Sequence, residues 1–258
     1  MDLAGRRAVV TGGGRGIGAA TCRALAAAGA AVLVAARSSA EVEAVAEEIR
    51  GAGGSAHAAR VDVTDPDSIA ALAALAEARL GGVDLLVNNA GIASSAPLKS
   101  TPLEEWTRIL TVNATGSYLV TRALIGGMLE RRWGRVVTVA SIAGLRGAAY
   151  ITAYTASKHA VVGFTRALAA EVAARGVTVN AVCPGYVDTP MTEESIARIV
   201  AKTGLAPEEA RARIVATNPQ GRMIDPEEVA YAVACLCDER ARGINGQAIA
   251  VDGGITAS

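Results

Sequence analysis

The chain has 258 residues, 51% of them hydrophobic, and its 25 Lys and Arg balance 25 Asp and Glu, so the formal net charge is zero. That length suffices for a large buried core, and the hydrophobic share excludes a disordered chain. With 3% aromatic residues and no basic excess, there is neither an electrostatic footprint nor a stacking platform for nucleic acid.

The first residues lack the long apolar core of a secretory signal, and no apolar run of about 18 residues offers a membrane span, so a cytoplasmic protein is expected. Cys22, Cys183, Cys235 and Cys237 form no C-x-x-C pair. They read as small reduced core residues, and no metal site is expected.

Arg7 to Thr11 is a short apolar strand that runs into Gly12-Gly-Gly-Arg15-Gly16-Ile17-Gly18 and an Ala/Leu-rich helix to about Ala28. Glycines let a backbone turn sharply and approach a pyrophosphate, whose charge is stabilised by free amides and by the helix dipole. The alternative is a tight strand-to-helix turn that binds nothing. Ala31 to Ala36 is a second strand, followed by Arg37 and a helix whose Val42, Val45, Ala46 and Ile49 have helical spacing. A third strand, about Ala56 to Val63, contains Asp62, and Thr64-Asp65-Pro66 opens a capped helix.

Val83 to Val87 is a fourth strand that ends in Asn88-Asn89-Ala90-Gly91. Glu104 to Arg131 reads as one long helix with Asn113 inside it, between Val112 and Ala114, where an amide needs a hydrogen-bonding task. Strand Arg135 to Ala140, a helix from Tyr154 to Arg175 and strand Gly176 to Cys183 follow, then the loop Pro184-Gly185-Tyr186-Val187-Asp188-Thr189. Residues 190–219 read as a helical lid, Asp225-Pro226 starts another capped helix, and Gln247 to Val251 is a seventh strand.

Short apolar strands alternating with longer helices predict an α/β fold, a doubly wound parallel seven-stranded sheet covered on both faces, with residues 1–258 as one domain. Right-handed crossovers then bring the glycine turn, Arg37, Asp62, Asn88 to Gly91 and Ser141 to the carboxyl edge of the sheet, where such folds bind ligands.

Tyr154 and Lys158 stand at i and i+4 of a helix, and Ser141 ends a strand thirteen positions before the tyrosine. A lysine charge about 4 Å from a phenol, at an effective dielectric near 20, is worth roughly 4 kcal/mol, enough to bring a pKa of about 10 near 7. The plain alternative is a core tyrosine, a solvated lysine and a loop serine.

Thr-Gly-x-x-x-Gly-x-Gly at Thr11 to Gly18, Asn-Asn-Ala-Gly at Asn88 to Gly91, Asn113, Ser141, Tyr154-x-x-x-Lys158 and Pro184-Gly185 together resemble the short-chain dehydrogenase/reductase family, with a Rossmann-type fold, over nearly the whole chain. The resemblance implies hydride transfer with a nicotinamide dinucleotide. It gives Tyr154 the proton transfer, makes Lys158 hold the ribose and lower the phenol's pKa, has Ser141 polarise the substrate oxygen, and has Asn113 hold a water in a proton relay. Gly12, Arg15, Gly16, Ile17 and Gly18 would hold the phosphates. Asp62 would meet the adenine, Val63 would also contact the cofactor, and Asn89, Ala90 and Gly91 would line the channel. Val187 and Thr189 would meet the nicotinamide amide, and Pro184, Gly185 and Tyr154 would also contact the cofactor.

At the end of the second strand stands Ala36, with Arg37 next, so no carboxylate is expected to guard the ribose. Arg15 and Arg37 predict NADP(H) over NAD(H), by roughly 10² or more. The Tyr154-Thr-Ala-Ser-Lys-His stretch resembles 3-oxoacyl-thioester reductases and polyketide ketoreductases, and Arg132 and Arg175 match positions where such enzymes dock an acyl carrier protein, although helix-end arginines also suit a helix dipole alone. The long lid resembles that of 3-hydroxybutyrate dehydrogenases, which makes a 3-hydroxy acid or secondary alcohol the rival substrate. A catalytically silent dinucleotide-binding regulator is the alternative of another class. Apolar residues on several faces of the two longest helices, which pair across a two-fold axis in the family, predict a D₂ homotetramer.

Overall fold

In the computed structural model, which describes residues 1–257, seven strands form one all-parallel sheet in the order β3-β2-β1-β4-β5-β6-β7. They are β1 (Arg7–Thr11), β2 (Ala31–Ala36), β3 (Ser55–Arg60), β4 (Leu85–Asn88), β5 (Gly134–Val139), β6 (Val177–Pro184) and β7 (Ala248–Val251). The helices are α1 (Gly16–Ala27), α2 (Ser39–Gly51), α3 (Pro66–Leu80), α4 (Leu103–Leu110), α5 (Gly116–Arg131), α6 (Thr152–Val172), α7 (Pro190–Thr203), α8 (Pro207–Val215) and α9 (Pro226–Cys237). This is the doubly wound, Rossmann-type arrangement expected from the alternation of strands and helices.

Alternate strand residues feed opposite layers. Ala8, Val10, Val32, Val34, Leu85 and Val87 pack with Leu25 of α1, Val42 of α2 and Val229 of α9. Val9, Leu33 and Leu86, between them in sequence, pack with Leu72 of α3, Leu124 of α5 and Val172 of α6. A strand buried on both faces must be apolar at every position, which is why these runs do not alternate with polar residues.

Helix starts follow local chemistry. The Ser38 side chain caps α2 by accepting from Glu41 N at 3.3 Å, and Asp65 caps α3 just ahead of Pro66. Pro190, Pro207 and Pro226 open α7, α8 and α9 at positions where a missing N–H costs nothing.

Two expectations are corrected. β3 ends at Arg60 rather than Val63, because the Asp62 carboxylate accepts from Thr64 N at 2.9 Å and Thr64 Oγ1 at 2.7 Å and turns the backbone off the ladder. The helix expected over Glu104 to Arg131 is broken by a five-residue π turn, Thr111–Thr115, which leaves α4 and α5 on either side. The segment after β6 does hold two helices, α7 and α8, packed through Ile196, Ala210 and Ile214. Among the described residues, no helix is long and apolar enough to cross a membrane.

Candidate active site

The chain leaves β1 to one side of the sheet and β4, its neighbour, to the other, so a crevice opens between their carboxyl ends. The two exits are stitched together there. Thr11 Oγ1 accepts from Asn89 N (3.1 Å) and Ala90 N (3.2 Å), while Asn89 Nδ2 donates to Thr11 O (3.1 Å) and Gly12 O (3.0 Å). A cleft of about 370 Å³ runs across this junction. Gly12, Arg15, Gly16, Ile17, Arg37, Asp62, Val63, Asn89, Ala90, Gly91 and Thr189 all line it.

Gly18, Tyr154, Lys158, Pro184, Gly185 and Val187, also expected to contact a cofactor, do not line the cleft. Gly18 supports the turn from behind: a Cβ there would meet Gly12 O at 2.0 Å and Asn89 Nδ2 at 2.5 Å. Gly185 is less tightly confined, with a Cβ 3.1 Å from Ile255 Cδ1 and 3.2 Å from Asp252 Cα, and the Val187 side chain is buried. Gly12 (φ +65°) and Gly16 (φ +53°) adopt left-handed backbone conformations that side chains resist. α1 starts at Gly16 with no side-chain cap, so its first-turn amides are free for an anion. This glycine cradle and helix terminus fit a dinucleotide pyrophosphate.

At one end of the cleft, Ala36 and Arg37 stand where expected, but Ser38 and Glu41 of α2 line the same wall. The expectation that no carboxylate guards this end is therefore corrected: the first turn of α2 folds Glu41 back toward the glycine loop, where a Cβ on Gly14 would lie 3.3 Å from Glu41 Oε2. The position read from sequence was the strand end alone. Arg15 Nη2 lies 3.5 Å from Glu194 Oε1 of α7, a second carboxylate at this end. Asp62 is held below the usual carboxylate range by its hydrogen bonds from Thr64.

The other end leads to the polar cluster. A Cβ on Gly91 would lie 3.3 Å from Asn113 Oδ1 and 3.7 Å from Lys158 Nζ. The Asn113 amide is buried and makes three hydrogen bonds: Oδ1 accepts from Ile92 N (2.9 Å), and Nδ2 donates to Ile92 O (3.0 Å) and Ser157 Oγ (2.9 Å). Ser157 in turn donates to Tyr154 O at 2.7 Å. Asn113 thus joins the π turn, the β4 exit loop and α6. Ser157, which sequence reasoning passed over, is the link to the tyrosine.

Burial pushes the Tyr154 phenol up to about 12, opposed by a hydrogen bond with the Ser141 hydroxyl. Burial also pulls Lys158 down to about 8, and its Nζ donates to Val139 O at 3.0 Å. The expected phenol near 7 is corrected for this state. The ammonium lies over the Tyr154 ring, 5.6 Å from its centroid, and donates to a carbonyl, and the phenol's desolvation is the larger effect. Serine, tyrosine and lysine nevertheless converge, and the set contains an acid held protonated at neutral pH.

Arg132 and Arg175 cap each other's helices. Arg132 Nη2 donates to Ala174 O (2.9 Å) in the 3₁₀ turn that follows α6, and Arg175 Nη2 to Leu129 O (3.2 Å) at the end of α5. Both side chains have a structural task in the isolated chain.

A dinucleotide cleft at the switch point of a doubly wound sheet, with a Ser–Tyr–Lys group at its far end, defines a nicotinamide-dependent oxidoreductase of alcohols and carbonyls. The comparisons with known proteins agree. Residues 6–199 match the short chain dehydrogenase family model. The 3-oxoacyl-(acyl-carrier-protein) reductase FabG of Vibrio cholerae is 39% identical over 255 residues, which cover 99% of each chain. The D-beta-hydroxybutyrate dehydrogenase of Cupriavidus necator is 37% identical over 255 residues, covering 98% of each. A crystal structure of a single-site variant of actinorhodin polyketide ketoreductase with NADPH superposes with a TM-score of 0.95 at 40% identity, covering 98% of each chain. The chain belongs to the short-chain dehydrogenase family and is an NAD(P)-dependent oxidoreductase acting on CH–OH and C=O groups.

Proposed function

We propose that the protein reduces 3-oxoacyl thioesters with NADP(H), Tyr154 being the proton donor. The observation that carries this reading is the placement of Lys158, whose Nζ lies 3.7 Å from where a Cβ on the cleft residue Gly91 would stand and 5.6 Å from the centroid of the half-buried Tyr154 ring. A nicotinamide dinucleotide held in the cleft would supply the hydride needed at the carbonyl carbon. Ser141 donates a hydrogen bond to the carbonyl oxygen, and Tyr154 delivers its proton to that oxygen, giving the secondary alcohol. A phenol that keeps its proton at neutral pH is in the form that reduction needs. Lys158, charged over much of the physiological range, stabilises the phenolate left behind, and Asn113 holds the loop and helix against which these groups are set.

Arg15 and Arg37 favour a 2′-phosphate, while Glu41 and Glu194 oppose it. With both arginines exposed to solvent, the preference for NADP(H) is reduced from 10² to about tenfold. A 3-oxoacyl thioester is favoured by the acyl-carrier-protein reductase relative and by the ketoreductase neighbour, each about 40% identical. α7 and α8 form the lid over this site, α5 and α6 the interface of a D₂ homotetramer, and the protein works in the cytoplasm. The mutual capping of Arg132 and Arg175 leaves carrier-protein docking secondary to recognition of the acyl group.

The test is a panel of acetoacetyl-CoA, acetoacetate, 3-hydroxybutyrate and simple secondary alcohols, each with both cofactors. The highest kcat/KM is expected for acetoacetyl-CoA with NADPH. A highest value for 3-hydroxybutyrate with NAD⁺ assigns the rival dehydrogenase, and cofactor binding without any turnover assigns the silent regulator. Light scattering at micromolar concentration is expected to give four times the 26.1 kDa chain mass.

A further inference from the structure

The start of the lid lies across the cofactor cleft. Thr189, Pro190 and Met191 line it, and a Cβ on Gly16 would touch Thr189 Cγ2 at 3.1 Å. One turn into α7, Glu194 reaches Arg15 Nη2 at 3.5 Å. The neighbouring Glu193 is taken by Arg211, so Glu194 is the lid carboxylate turned to the glycine loop. At its other end α7 is held by Lys202 Nζ, which donates to Ser95 O at 2.6 Å.

We infer that Glu194 is a selectivity residue: it competes with a cofactor 2′-phosphate for the Arg15 guanidinium, and so ties the lid to the glycine loop only when no phosphate is present there. This rests on the reading that Arg15 receives the 2′-phosphate. A guanidinium edge that faces a carboxylate must exchange it for the phosphate oxygens, and two anions on one cation repel if both remain. A ribose 2′-hydroxyl makes no such demand, so the cost falls on the phosphorylated cofactor alone. Arg15 and Glu194 side chains are 55% and 54% exposed, and exposed pairs of this kind shift an equilibrium about two- to fivefold.

The probes are adenosine 2′,5′-bisphosphate and 5′-AMP, which differ by the one phosphate. Their dissociation constants are measured by titration calorimetry at low ionic strength on the wild type, Glu194→Gln, Arg15→Ala and the double variant. Glu194→Gln is expected to tighten the bisphosphate about two- to fivefold while leaving 5′-AMP unchanged, and to do nothing in the Arg15→Ala background. Cofactor-free Glu194→Gln is also expected to exchange the amides of 190–197 faster than the wild type, since one lid tether is gone. An unchanged bisphosphate affinity, or an equal gain with and without Arg15, overturns the competition. If Arg15→Ala leaves the wild-type bisphosphate affinity intact, the 2′-phosphate reading itself fails.

Discussion

Replacing Asn113 by alanine removes one side chain and strands three polar groups at once. Ile92 N–H and C=O and the Ser157 hydroxyl all bond the Asn113 amide at 2.9 to 3.0 Å. Each lost bond is worth about 1 kcal/mol, and a buried group left without a partner costs about 1 to 3 kcal/mol. Ile92 lines the cleft and can turn to water, and Ser157 keeps its bond to Tyr154 O, so the lower end applies to all three. Alanine returns roughly 0.5 kcal/mol through its better helix propensity. The net loss is about 2 to 3 kcal/mol, which for a chain of this size lowers the melting temperature by about 5 to 10 °C. Scanning calorimetry of the cofactor-free protein at fixed concentration measures it, and kcat/KM is expected to fall as well, because the π turn is freed from the tyrosine helix. A melting point within about 1 °C of wild type with undiminished kcat/KM would show that Asn113 fastens nothing.

Gly18→Ala drives a methyl into Gly12 O, where backbone cannot yield cheaply; affinity for either cofactor is expected to drop about tenfold or more, read by quenching of protein fluorescence, and wild-type affinity contradicts the cradle. Lys158 sits at about 8 when folded against 10.5 for an ordinary lysine, so the folded chain holds fewer protons between those values and gains stability as pH rises through them. The penalty below pH 8 is on the order of 3 kcal/mol, less about 1 for the bond to Val139 O. Lys158→Met is therefore expected to be inactive but more stable than wild type at pH 7, with the gap closing toward pH 10; chemical denaturation across that range checks it, and a gap that widens with pH reverses the sign of the argument.

The parallel sheet could be read because doubly buried strands and capped, proline-led helices leave strong local marks. The end of β3 could not, since an Asx turn at Asp62 looks in sequence like one more strand residue. The π turn left a partial mark: Asn113 between Val112 and Ala114 asks for hydrogen-bond partners, but the partners, Ile92 and Ser157, are 21 and 44 residues away. Glu41 and Glu194 carry charge but no motif, and only the packing of α2 and α7 against the glycine loop brings them to the cleft. For Tyr154 and Lys158 the shared helix face was legible, whereas the path of the lysine side chain to Val139 O was not.

The central claim is that Tyr154 supplies the proton. A single-turnover measurement with NADPH already bound, following its absorbance on mixing with acetoacetyl-CoA, compares wild type with Tyr154→Phe. The hydride-transfer rate is expected to fall by about 10² to 10⁴ while the cofactor's dissociation constant stays nearly unchanged. A phenylalanine variant that turns over at the wild-type rate contradicts the account.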